Sequence, residues 1–163
     1  MQPHLSDSAV QQEVEPVCLQ LASAALKVHL TPSDIRLADG TLFRVDGVNR
    51  TECVLCEIFS HVGNMRDGQR KKLAKDMLKL LAVENALGGE WRKIICIVDD
   101  PAREFLTGRS WCASVVRQFR FEVLMTALDD SLRMQLTTVQ LLQAEGMKQG
   151  KARLSTTEKA PSK

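Results

Sequence analysis

The chain has 163 residues, of which 44% are hydrophobic and 26% are charged, and its formal net charge is +2. These values are typical of a globular domain with a real core, and they exclude a strongly basic protein that binds nucleic acid through its overall charge. No apolar segment reaches the roughly 20 residues of a membrane-spanning helix, and the first residues lack the features of a secretory signal. We therefore expect a cytoplasmic protein with no membrane association.

The five cysteines lie inside apolar, periodic segments. An odd number of cysteines in such positions is typical of reduced, buried thiols in a reducing compartment. Cys53 and Cys56 have the spacing of a metal-binding knuckle. On a strand, however, residues three apart point to opposite faces, so we do not expect a zinc site there.

In chain order, the sequence predicts a helix, a hairpin, and then strands that alternate with helices. Pro16 predicts either a kink in the first helix or a helix that starts there, and Asp39-Gly40 predicts the hairpin turn. The segment CVLCEIF is almost continuously apolar except for Glu57, which indicates a strand buried on both faces at the centre of the sheet. The predicted helices are Ser6–Leu26, Asp67 or Gln69 to Ala86, Ala102–Leu106, Trp111–Phe119 and Ser131–Gln143, and the predicted strands are Ile35–Ala38, Thr41–Val48, Glu52–Phe59, Lys93–Val98 and Phe121–Thr126.

This order predicts an α/β fold. We expect a three-layer αβα sandwich with a mixed central sheet of about five strands and a helix-β-β-β-helix-β core. Residues 6–143 are predicted to form a single α/β domain. Residues 144–163 have little apolar content, so a disordered C-terminal tail is predicted there.

The predicted helix after the central strand carries a polar stripe. Its members are spaced three or four residues apart, so one helical face holds Gln69, Lys72, Asp76 and Lys79. A single acid near the end of a buried strand, followed by such a helix, is one way to build a phosphodiester-handling site. An ordinary solvated helix has the same pattern.

The element order and two acids resemble the PD-(D/E)XK nuclease superfamily. Asp46 falls at the end of the second predicted strand and Glu57 lies on the third. The resemblance covers Val14 to about Val98. The segment 63–80 and the sequence FLTGRSW are also similar to parts of bacterial proteins with this core. The resemblance implies a metal-dependent nuclease acting on DNA, with Asp46 and Glu57 as catalytic residues that bind Mg²⁺.

The chain departs from the family at one important position. The family's lysine normally follows the acid by two residues, where this chain has Phe59. Some members carry the lysine on the following helix instead, and Lys72 is then the expected catalytic lysine. On this hypothesis the substrate-binding residues are Gln69, Lys75 and Lys79.

Each of these residues also has a structural interpretation. Asp46 can be a turn residue, Glu57 can form a structural ion pair with Lys72 or Lys79, and Asp76 can be a helical salt-bridge partner. The alternative function is therefore a non-catalytic nuclease-like fold that serves as a binding or assembly module. The missing lysine and the near-neutral charge favour it.

Three further residues and one helix have alternatives of their own. Asp100 before Pro101 is expected to cap a helix, and Trp111 is expected in the core. His61 is close enough in sequence to Glu57 to be considered as an acid–base residue. The leucines of the last predicted helix can cover the domain's own sheet or bind a protein partner.

Overall fold

A computed structural model of the chain describes residues 9–157, with side chains from 12 to 146. Ten elements follow in chain order: α1 (Ala9–Leu26), β1 (Thr31–Arg36), β2 (Leu42–Asn49), β3 (Val54–Phe59), α2 (Asp67–Leu87), β4 (Arg92–Ile97), α3 (Asp100–Thr107), α4 (Trp111–Gln118), β5 (Phe121–Met125) and α5 (Asp130–Thr157). The predicted α/β class is confirmed. Among the described helices, none is long and apolar enough to cross a membrane.

The five strands form one mixed sheet in the order β1-β2-β3-β4-β5. The pairs β1–β2 and β2–β3 are antiparallel, whereas β3–β4 and β4–β5 are parallel. The turn between β1 and β2 forms at Asp39-Gly40, where Gly40 has a φ of 87° and the carboxylate of Asp39 accepts a hydrogen bond from the N–H of Thr41. The hairpin that this dipeptide predicts is therefore present.

Helices cover both faces of the sheet, which gives the predicted three layers. All six residues of β3 are buried, as expected for the central strand. Helices α2, α3 and α4 pack on one face through a hydrophobic cluster that includes Leu55 and Phe59 of β3. Helices α1 and α5 pack on the other face with Cys56 and Ile58. Alternate residues of β3 thus face opposite layers, and the direction of each β3 side chain follows from its position.

Several boundaries differ from the predicted ones. Helix α1 continues through Pro16, so a helix that starts at this residue is wrong. Buried Val14 and Cys18 hold the chain on the sheet on either side of the proline, and this packing outweighs the loss of one backbone donor. The Ser6 end of the predicted helix lies outside the described residues. Strand β1 begins at Thr31, earlier than Ile35, because pairing with β2 extends the strand beyond its apolar part.

Three local expectations are also corrected. The residue that caps α3 is Asp99 rather than Asp100, and the side chain of Asp99 forms no capping hydrogen bond. Trp111 is exposed instead of buried, although Ser110 does cap α4 by accepting from the N–H of Ala113. Helix α5 extends to Thr157, beyond its predicted end at Gln143. Residues 158–163 lie outside the described part of the chain.

Candidate functional site

Asp46 lies at a β-bulge near the end of β2. The register of the β1–β2 pair shifts between Thr31 and Ser33, so Pro32 stands opposite both Asp46 and Gly47. Such a bulge bends the strand and changes the direction of its side chains, and proline is tolerated there because it donates no ladder hydrogen bond. Asp46 therefore leaves the regular alternation of β2.

Gly47 lies at this bulge in close contact with its neighbours in space. A Cβ atom at this position would lie 2.7 Å from Cδ1 of Leu19, 3.2 Å from Cβ of Leu30 and 3.3 Å from Cβ of Cys56. No larger residue fits unless these neighbours move. The Asp-Gly pair thus fixes how β2 approaches β3 at the level of the candidate site.

Asp46 contacts β3 just beyond the last paired residues, Gly47 and Cys56. Its Oδ2 accepts a hydrogen bond of 2.9 Å from the backbone N–H of Ile58. Its own backbone N–H donates to Oε1 of Glu57 at 3.4 Å. The two acids that the sequence singles out therefore lie side by side. Because Asp46 also satisfies a backbone donor of β3, it has a structural role as well.

Glu57 points from β3 toward α2, on the same face as Leu55 and Phe59. Its side chain is only 3% exposed, and its Oε2 lies 2.6 Å from Nζ of Lys79. Lys79 also donates to the backbone carbonyl of Arg44 at 2.9 Å. An unpaired carboxylate at this depth would cost several kcal/mol, so Lys79 is the partner that the burial of Glu57 requires.

A second ion pair lies beside the first, within α2. Nζ of Lys72 lies 3.3 Å from Oδ2 of Asp76, one helical turn away. Asp76 is buried, whereas the side chain of Lys72 is 55% exposed. The ammonium of Lys72 also lies 5.4 Å from the centre of the Phe59 ring. Phe59 occupies the position where the resemblance implies a lysine. Lys72 of α2 therefore brings an ammonium group close to that position.

We call Asp46, Glu57, Lys72, Asp76 and Lys79 the acid–lysine cluster. Burial and then repulsion from Asp46 raise the pKa of Glu57 to about 8, although the hydrogen bond and charge of Lys79 act in the opposite direction. Burial also raises the pKa of Asp76, against the lowering effect of Lys72 and Lys79. Three acids thus share two lysines, and the cluster favours the uptake of a further positive charge.

The two other predicted substrate-binding residues lie apart from this cluster. Oε1 of Gln69 accepts a hydrogen bond of 3.0 Å from the backbone N–H of Arg66 and so closes the first turn of α2. Lys75 is exposed on the same helix. His61 does not join the cluster through a hydrogen bond: its Nε2 lies 3.1 Å from the carbonyl oxygen of Asn64.

A separate polar contact connects the end of β4 to α5 and to the loop after β3. The carboxylate of Asp99 accepts hydrogen bonds from the N–H of Gly63 at 2.6 Å and from the guanidinium of Arg133. Burial raises the pKa of Asp99, but these hydrogen bonds outweigh burial and hold the pKa below its ordinary value. Gln140 of α5 accepts from the N–H of Val62 in the same loop. We interpret this contact as structural.

Sequence reasoning missed the depth of Asp76 and the contact between Lys79 and the Arg44 carbonyl. Asp76 is four residues after Lys72 and three before Lys79, so the sequence places the three on one helical face. It does not reveal how far that face turns toward the sheet. The proline opposite Asp46 was a usable sign of the bulge, because proline inside a strand is confined to edges and bulges.

The donor atoms of the cluster agree in kind with the Mg²⁺ that the resemblance implies. Asp46, Glu57 and Asp76 offer carboxylate oxygens, which are the hard ligands that Mg²⁺ prefers. Within residues 12–146, no three His, Cys, Asp or Glu side chains converge closely enough to hold a metal ion as they stand. The Glu57 carboxylate faces the ammonium of Lys79. In this arrangement the acids therefore do not hold such an ion, because Lys79 occupies the space in front of Glu57.

Comparison of the chain with models of protein families, with curated proteins and with solved structures found no match in any of the three. A function for this chain must therefore be inferred from the geometry and electrostatics of the acid–lysine cluster.

Proposed function

We propose that the acid–lysine cluster is the phosphodiester site of a nuclease-like protein that hydrolyses DNA. The observation that carries this proposal is the adjacency of Asp46 and Glu57, which lie on neighbouring strands and are joined by a hydrogen bond of 3.4 Å. The order helix, hairpin, central strand, helix, strand supports it, because the resemblance implies an acid pair at these positions. Lys72 beside Phe59 supports a lysine supplied by the helix.

The residues of the cluster then have distinct roles. Asp46 and Glu57 would hold Mg²⁺ through carboxylate oxygens. When bound, the ion supplies a Lewis acid that polarises the phosphate and activates a water molecule. Lys72, whose side chain is more exposed than that of Lys79, stabilises the negative charge that develops on the phosphate. Asp76 orients Lys72 through their ion pair.

The outer surface of α2 carries positive charges that suit the binding of a polyanionic substrate. Exposed cationic side chains lie at its N-cap, Arg66, and in its first half, at Arg70 and Lys75. Lysine and arginine contacts with phosphates fix the position of a duplex without reading its sequence. On this proposal Lys75 contributes to substrate binding through the backbone of the DNA, whereas Gln69 contributes by holding the start of α2.

We further propose that the protein works in the cytoplasm. All five cysteines are free thiols, and four of them are buried. Reduced thiols of this kind persist in a reducing compartment, which is consistent with access to cellular DNA.

The proposal is tested with supercoiled and linear DNA in the presence of Mg²⁺ or Mn²⁺. We expect wild type to cleave, and we expect Glu57→Gln and Lys72→Ala to lose cleavage by about 100-fold or more, since the first removes a carboxylate that would hold Mg²⁺ and the second removes the charge that stabilises the phosphate. Lys71→Ala is the matched control, because it removes a charge from the same helix at a residue paired only with exposed Asp67. It should retain cleavage.

Two results would contradict this function. One is wild-type protein that leaves both DNA forms intact with either cation. The other is cleavage that persists in Glu57→Gln at the wild-type rate, which would indicate a contaminating nuclease. Circular dichroism and urea unfolding of each variant separate lost chemistry from lost structure.

A second candidate function is a non-catalytic module that binds DNA or a protein. The specific observation in its favour is that the side chain of Glu57 is only 3% exposed and already forms an ion pair with Lys79. Helix α5 adds an outer face with exposed Met134, Leu141 and Leu142, while its inner Leu136 is fully buried in the domain core. A protein partner would use that outer face. Binding to DNA in EDTA, with no cleavage when Mg²⁺ is restored, would favour this function.

A further inference from the structure

The ammonium of Lys79 is surrounded by oxygen atoms of the kinds that bind metal cations. Its ammonium contacts Oε2 of Glu57 at 2.6 Å and the carbonyl oxygen of Arg44 at 2.9 Å. A carboxylate oxygen and a backbone carbonyl oxygen are also typical ligands of hard metal ions in proteins. The two ligands come from adjacent strands, β3 and β2, and the lysine comes from α2 on the opposite side of the space.

The charge of the cluster makes this position suitable for a cation. Three acids gather here, since the backbone N–H of Asp46 donates to Oε1 of Glu57 at 3.4 Å and buried Asp76 lies three residues before Lys79 on α2. Lys72 is already paired with Asp76 and lies largely in solvent. The only other lysine in the cluster, Lys79, therefore supplies the positive charge that faces Glu57.

We propose that Lys79 is an internal counter-cation that occupies the cation position between Glu57 and Arg44, and that a divalent ion must displace it to enter. This inference rests on the proposed function, because it concerns the same acids. It goes beyond it by assigning to Lys79 a role that differs from substrate binding. Lys79 is a positioning residue here, since it holds Glu57 in place and contacts no reacting atom.

The displaced ammonium has an acceptor within the same helix. Asp76 lies three residues before Lys79, and the charge of Lys79 already acts on it. Residues three apart are neighbours on a helical surface, and the lysine stem is long and flexible. Lys79 can therefore leave Glu57 without being left unpaired. The exchange requires a change in the side chain rather than movement of a strand or helix.

Metal affinity measured by calorimetry in the absence of DNA tests this inference directly. A ligand that binds only a minor conformation has its affinity reduced by the fraction in that conformation. If Lys79 occupies the position nine times in ten, Lys79→Met should bind Mn²⁺ about tenfold more tightly than wild type. Adding Glu57→Gln to that variant should abolish the gain. Lys71→Met is the matched control for loss of one positive charge, and its affinity should equal that of wild type.

The inference is overturned if folded Lys79→Met binds Mn²⁺ no more tightly than wild type, including the case in which neither binds. Lys79→Gln provides a second, polar variant if Lys79→Met does not fold. Failure of this inference and failure of the proposed function give different results. Tighter metal binding by Lys79→Met together with a wild type that cleaves no DNA would support the counter-cation and reject the nuclease. Cleavage by wild type without any gain in Lys79→Met would do the opposite.

Discussion

Helix α2 is joined to the sheet by two ion pairs, each with a buried residue on the strand and a partly buried residue on the helix, and the helix supplies the lysine in one pair and the acid in the other. Near its middle, Lys79 of the helix meets Glu57 of β3 at 2.6 Å. Near its end, Glu84 of the helix meets Lys93 of β4 at 2.7 Å. Both pairs connect the same helix to neighbouring strands at similar distances.

The surroundings of the two pairs differ in charge balance. Glu84 also accepts from the backbone N–H of Trp91, and Lys93 donates to the carbonyl oxygen of the same residue, so this pair is completed by neutral groups. Glu57 instead has Asp46 beside it and Asp76 close enough to affect its pKa. A structural contact requires only one acid and one lysine, as in the pair of Glu84 and Lys93. Additional acids beside Glu57 lower the free energy of unfolding through repulsion, and acids with pKa values perturbed in this way are enriched at functional sites.

The largest effect is expected at the balanced pair. Lys93→Met leaves Glu84 without its cation in a largely buried position, and breaking such a pair costs about 3 kcal/mol of the free energy of unfolding. Lys79→Met should cost less, about 1–2 kcal/mol, because burial and repulsion from Asp46 already raise the pKa of Glu57, so this acid can take up a proton once its lysine is removed. Urea unfolding of both variants at pH 7 measures the difference.

Equal losses in the two variants would break the comparison, because they would indicate that Glu57 is as fully ionised as the partner of an ordinary ion pair. A larger loss for Lys79→Met would have the same meaning. The slope of unfolding against urea must stay constant for these differences to report stability.

Sequence reasoning located both acids but not the partner of Glu57. Asp39-Gly40 and the apolar run around Glu57 are local signals, and they were sufficient for the hairpin and the central strand. The choice between Lys72 and Lys79 depends on how α2 is rotated against the sheet, which is set by packing and not by spacing along the chain. The sequence left both lysines open as partners, and the geometry selects Lys79.

The pair of Lys93 and Glu84 was not predicted at all, for the same reason. The two residues are nine apart in sequence and lie on different elements. Lys93 stands at the start of an apolar strand, where a lysine is usually solvated. The long helix α5 was missed beyond Gln143 because its later residues lack an apolar stripe, on which the prediction of an amphipathic helix depends.

The pH dependence of stability gives an intermediate effect. Glu57 has a folded-state pKa of about 8, above its ordinary value of 4.5. Between these two values the folded state holds a proton that the unfolded state has lost, so the contribution of Glu57 to stability falls as pH rises through this window. Asp46→Asn removes the repulsion and lowers the pKa of Glu57. For each pKa unit by which Glu57 is lowered, the loss of stability between low and high pH becomes smaller by about 1.4 kcal/mol.

Unfolding of wild type and Asp46→Asn in urea at pH 5, 6, 7 and 8 tests this prediction. The asparagine retains an oxygen that can accept from the N–H of Ile58, so the bulge should persist. Parallel pH curves for the two proteins would contradict the coupling between the acids. A curve that is flatter for Asp46→Asn would support it.

The smallest effect is expected at an exposed pair of the same sheet. Arg92 of β4 donates through Nε and Nη2 to the two carboxylate oxygens of Glu122 on β5, both at 2.8 Å, and each side chain is nearly half exposed. Exposed pairs contribute about 0.2–1 kcal/mol and are screened by salt. Arg92→Ala should therefore lower stability by less than about 1 kcal/mol, and 1 M NaCl should reduce the difference from wild type. A loss as large as that of Lys93→Met would mean that distance, rather than burial, governs these pairs, and the contrast between the two pairs of α2 would then lose its physical basis.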